Sequence, residues 1–104
     1  MSKELVVING LTLNGWSRFI VNIHADEIEQ QVLFRFDNGY GASVIRGSHT
    51  YGGNKGLFEL AVVRFDGNEH AITYDTPITD DVLGWLTGNE VFEKLGEIQS
   101  LPVI

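Results

Sequence analysis

The sequence predicts an α+β fold, an antiparallel β-meander of about four to six strands with two C-terminal α-helices packed on one face. Three observations predict it. Apolar and β-branched runs flank Asp37-Asn38-Gly39 and Asp66-Gly67-Asn68, and such pairs of runs read as β-hairpins because these turn residues accept positive φ. Residues 17–25 alternate in the period-two pattern of a half-buried strand. Beyond Pro77 the apolar spacing changes to i, i+4 and i+7 at Val91, Leu95 and Ile98, the period of a helix that buries one stripe.

The 104 residues suit one domain, with a β-rich part over 1–75 and an acidic helical part over 76–104. The chain is 43% hydrophobic and 20% charged, the composition of a folded protein rather than a disordered one. Without cysteine there is no disulfide, no thiolate nucleophile and no cysteine-ligated metal. No apolar run reaches the roughly 18 residues of a membrane span. Met1-Ser2-Lys3-Glu4 lacks the basic and apolar regions of a signal peptide, so a cytoplasmic protein without a membrane partner is expected.

The net charge of −7 is unevenly placed. Acids and bases balance over residues 1–65. Residues 66–104 carry Asp66, Glu69, Asp75, Asp80, Asp81, Glu90, Glu93 and Glu97 against Lys94 alone. Such a surface repels nucleic acid and favours water or a basic protein surface.

Taken in order, residues 5–8 and 11–13, each followed by Asn-Gly, suggest a small N-terminal hairpin. The strand over 17–25 follows, with Phe19, Val21 and Ile23 on one face. Residues 26–30 form a charged connection or one helical turn. The central hairpin spans 31–46, and a type I′ turn at Asn38-Gly39 is expected. Residues 47–56, with glycines at 47, 52, 53 and 56, read as a surface loop of the length that often carries function. Residues 57–65 are apolar on both faces, as in a covered central strand, and 70–74 return from the turn at 66–68. Thr79 can cap a short helix over 80–86, with Asp80 and Asp81 in its first turn. Thr87 and Glu90 have capping-box spacing for a second helix that runs to about residue 100. Gly96 within it suggests close packing. Trp16 and Trp85 read as core or interface residues.

No catalytic arrangement is found. His24 and His70 lie in predicted strands, and no Gly-x-Ser-x-Gly elbow or His-x-x-x-His pair occurs. No metal or cofactor is expected. Tyr51-Gly52-Gly53-Asn54-Lys55-Gly56 could cradle a phosphate through its N–H groups, yet it lacks the P-loop ending and runs into a strand. His49, Tyr51 and Lys55 are its candidates for partner contact, tyrosine being a common interface anchor. Asp80, Asp81, Glu90, Glu93 and Glu97 are the candidates on the acidic helices.

Two stretches, Phe36-Asp37-Asn38-Gly39-Tyr40-Gly41-Ala42-Ser43-Val44 and Tyr74-Asp75-Thr76-Pro77-Ile78-Thr79-Asp80-Asp81-Val82, resemble motifs in small uncharacterised proteins encoded by bacteriophages and prophages. The resemblance extends over about residues 30–100 and carries no activity with it. It implies a small accessory protein in the host cytoplasm that binds a host factor, as some acidic phage proteins do by covering DNA-binding sites.

The leading expectation is therefore a non-enzymatic protein that binds a host or viral protein with a basic surface, through the acidic helices or the 47–56 loop. A small-ligand or phosphate-binding protein using that loop, possessing an enzymatic activity or not, is the first alternative. A virion component or other homo-oligomer is the second.

Overall fold

The computed structural model describes residues 16–47 and 53–104. Five strands, β1 (Ile20–Ala25), β2 (Glu29–Arg35), β3 (Tyr40–Gly47), β4 (Phe58–Asp66) and β5 (Glu69–Ile72), pair antiparallel in sequence order. A sixth, β6 (Leu83–Leu86), also pairs with β4. β3 takes one edge of β4, while β5 lies beside Val63 to Asp66 and β6 beside Phe58 and Leu60 on the other. The result is a curled half-barrel sheet with, among the described residues, one α-helix, α1 (Gly88–Gln99).

Pairing register builds the core. Val32 lies beside Val44 and Val44 beside Leu60; Phe34 lies beside Ala42 and Ala42 beside Val62. All six are buried, and Phe58 joins them. Val91, Leu95 and Ile98 of α1 are fully buried against this cluster. A helix of 12 residues is marginal alone, so this apolar stripe, worth about 1.5–3 kcal/mol per buried side chain, is what holds it. Leu33, Ser43 and Ala61 form a buried row on the opposite face, as expected for covered central strands.

The two-helix expectation is wrong. Residues 83–86 form β6, not part of a helix over 80–86, and α1 is the single α-helix among the described residues. The free edge of β4 beside Phe58 and Leu60 gives this apolar stretch a ladder partner, and Gly84 in its middle weakens a helix. Asp80 and Asp81 therefore cap nothing. Thr79 instead makes a local turn, its Oγ1 donating to the Asp81 carbonyl and accepting from the Asp81 N–H. The second capping site is formed: Thr87 Oγ1 accepts from Glu90 N–H and Glu90 Oε1 accepts from Thr87 N–H.

The central turn also differs from the type I′ expectation. Among the described turn residues only Gly39 has positive φ, 91°, so Asp37-Asn38-Gly39 is a three-residue loop, closed by Phe36 N–H on the Tyr40 carbonyl. In β1 the register slips between Ile20 and Asn22, and this bulge turns Val21 out to solvent. Gly96 has nothing within 4 Å of where a Cβ would stand, so close packing does not explain it. The expected N-terminal hairpin lies outside the described residues.

Candidate functional site

The residue that departs furthest from ordinary backbone geometry is Trp85. Its φ is 60°, and it is the one non-glycine residue at positive φ among those described. The cause is a bulge. From Phe58 to Leu60 β4 advances two residues, while its partner β6 advances three, from Leu86 back to Leu83. The extra residue forces the local chain into the left-handed region, a position where bulges usually carry glycine. Here the glycine stands one place earlier, at Gly84.

The bulge leaves the indole 55% exposed, although its neighbour Leu86 is buried in the core. Lys55 Nζ lies 5.8 Å from the indole centroid, within cation–π range. Lys55 ends a short 3₁₀ turn (Gly53–Lys55). The glycine-rich segment and β6, distant in sequence, thus meet at a lysine over a tryptophan.

Carboxylates bracket β6 in the chain. Asp80 and Asp81 precede it and are exposed, with Asp81 Oδ1 accepting the Val82 N–H at 2.7 Å. Glu90, Glu93 and Glu97 follow it on α1 at i, i+3 and i+7, all exposed. Glu90 is committed to its cap, and the Thr87 backbone and side-chain hydrogen bonds hold its carboxyl below the usual range. Glu97 pairs with Lys94 at 3.1 Å. His49 and Tyr51 lie outside the described residues.

Lys55 and these five acids are candidates from the sequence, whereas Trp85 reads there only as a core or interface residue. A glycine beside a bulky residue in a short apolar run is a bulge signal.

Other polar groups are arranged for structure. Asp26 accepts the N–H groups of Ile28 and Glu29 and bonds His24 at 2.9 Å, closing the β1–β2 turn. The His70 ring lies 5.4 Å from that of Phe65, tilted by 38°, and the Arg35 guanidinium lies 4.7 Å from the same Phe65 ring. Glu59 is pushed up by burial and by the Glu29 charge. Among the described residues no group of three or more His, Asp or Glu is placed to hold a metal ion, and no helix is long and apolar enough to cross a membrane. The cleft of about 220 Å³ beside Gly53 is walled by Asp26, Glu27 and Glu29 with Arg46, which suits a phosphate poorly.

Comparison with protein-family models, curated proteins and solved structures returns no match.

Proposed function

We propose that the protein is a non-enzymatic binding protein whose surface around Trp85 engages a partner protein with a basic surface. The observation supporting this is Trp85 itself: a bulky side chain in the left-handed region, more than half exposed. That backbone costs a non-glycine residue roughly 1–2 kcal/mol, and an indole so exposed recovers little of it by burial. Strain of this kind collects at functional sites, and tryptophan is a frequent interface anchor within a polar rim.

The chain on either side of β6 carries exposed carboxylates at Asp80, Asp81, Glu93 and Glu97. Charge complementarity then favours a basic protein and disfavours nucleic acid. An accessory role of phage type, acting on a host factor, rests on the sequence resemblance alone.

The test is capture from cell lysate by the immobilised protein, with Trp85→Gly and an Asp80→Asn, Asp81→Asn, Glu93→Gln, Glu97→Gln variant alongside. A basic protein should be retained by the wild type, lost from Trp85→Gly and weakened in the charge variant. Retention that ignores the loss of the indole would overturn the proposal.

A further inference from the structure

Glu69, His70, Ala71 and Ile72 of β5 are all exposed. One edge of β5 pairs with β4, and no described strand pairs with the other. The two-residue turn Gly67-Asn68 makes Asp66 and Glu69 a hydrogen-bonded pair, and antiparallel alternation then assigns the next such pair to Arg64 and Ala71. Thr73 N–H donating to the Val62 carbonyl at 2.9 Å continues the same series. The N–H and C=O groups of His70 and Ile72 therefore point away from β4, toward the open edge.

That edge borders an open cleft of about 670 Å³. Asp66, Glu69 and Asp75 line it, with Arg64 the one opposing charge. By alternation Glu69, Ala71 and Thr73 share one side of the strand, and His70, Ile72 and Tyr74 share the other. Ile72 and Tyr74 are each about half exposed, at 47% and 48%. A strand laid along β5 would set every second side chain beside carboxylates and the rest beside Ile72 and Tyr74.

We infer that the open edge of β5 binds an extended peptide segment by strand addition, one in which Lys or Arg alternates with apolar residues. A second copy of this chain fits less well. Antiparallel pairing centred on Ile72 would bring Glu69 of each copy opposite Asp75 of the other, like charges that oppose association. This edge is distinct from the Trp85 surface.

The test is fluorescence anisotropy at low salt, with the full chain titrated into a labelled peptide of about seven alternating Lys and Val residues. A matched peptide N-methylated at each Val, the residues that lie opposite His70 and Ile72, has the same charge but cannot complete the ladder. Ile72→Pro removes an outward N–H while sparing the bonds of Ala71 and Thr73 to β4, and Glu69→Lys reverses one charge. The parent peptide should bind wild type and Trp85→Gly alike, and binding should weaken about tenfold with either Ile72→Pro or N-methylation. Glu69→Lys should weaken it too. Equal binding of the N-methylated peptide, or no binding of the parent, would overturn the inference, and these two peptide results decide even if Ile72→Pro does not fold. Self-association of the wild type that Ile72→Pro abolishes would also overturn it, in favour of the second copy.

Discussion

Asn38 Nδ2 donates to the Ile98 carbonyl at 2.9 Å, joining the central hairpin turn to the end of α1 across 60 residues of sequence. The same amide group reaches the carbonyls of Gln99 at 3.2 Å and Leu101 at 3.0 Å, while Asn38 Oδ1 accepts the Tyr40 N–H. The last carbonyls of a helix lack partners within it, and here a turn residue from the sheet supplies the donors. The Asn38 backbone carbonyl also accepts the Ile104 N–H. One buried residue thus fixes the turn, the helix end and, through its backbone carbonyl, the final residues.

Asn38→Ala should cost about 2 kcal/mol, since it removes the side-chain donors to the Ile98, Gln99 and Leu101 carbonyls. For a domain of this size that lowers Tm by roughly 8–16 °C. Asn38→Asp should cost more at neutral pH, because a carboxylate would face carbonyl oxygens at the negative helix end. That carboxyl's folded pKa would be raised, so part of the loss should be regained below the ordinary carboxylate range and should return as pH rises. Thermal melts at pH 4 and pH 7 check both variants.

Gly96→Ala should stabilise the protein by up to about 1 kcal/mol. The glycine costs helix entropy, and a Cβ there meets open space. Urea unfolding of the two proteins, with unchanged m-value, measures the gain.

The Asp26 carboxyl is lowered from 3.8 to about 2, first by the Glu29 N–H, then by His24 and the Ile28 N–H. A depressed folded value means the group's stabilisation is present above its unfolded pKa and is lost as pH falls toward 2. Asp26→Asn should therefore be less stable than wild type at pH 6, and the gap should close between pH 4 and pH 2. A gap that stays constant would show that the charge contributes nothing.

Much of this fold is legible locally and some is not. Thr87 and Glu90 carry their capping chemistry in their spacing, and Val91, Leu95 and Ile98 announce their buried stripe by period. Asp66-Gly67-Asn68 likewise names its own hairpin, with positive φ at Gly67. β6 has no such signature. A run as short as residues 82–86 fits strand or helix equally, and what decides it is the vacant edge of β4 beside Phe58 and Leu60, which no local pattern reveals. The candidate site follows the same division. Its acids and Lys55 are readable as charges in the sequence, whereas the exposure and left-handed backbone of Trp85 are consequences of that non-local pairing.

If the acids near β6 select the partner, capture should fall steeply as ionic strength rises, because exposed charges are screened over about 8–10 Å near physiological salt. Trp85→Gly should not alter the salt dependence of whatever weak capture remains, since it changes no charge. Elution profiles across a salt series compare the two.

On the proposed reading Trp85 holds its left-handed backbone for binding and not for folding, and urea unfolding of Trp85→Gly separates the two. Glycine relieves the left-handed backbone but adds chain entropy, effects of about 1 kcal/mol each. The predicted result is a stability within about 1 kcal/mol of wild type. A loss of about 3 kcal/mol or more, the size seen when a buried aromatic is removed, would contradict the claim and make Trp85 a structural residue of the β6 edge.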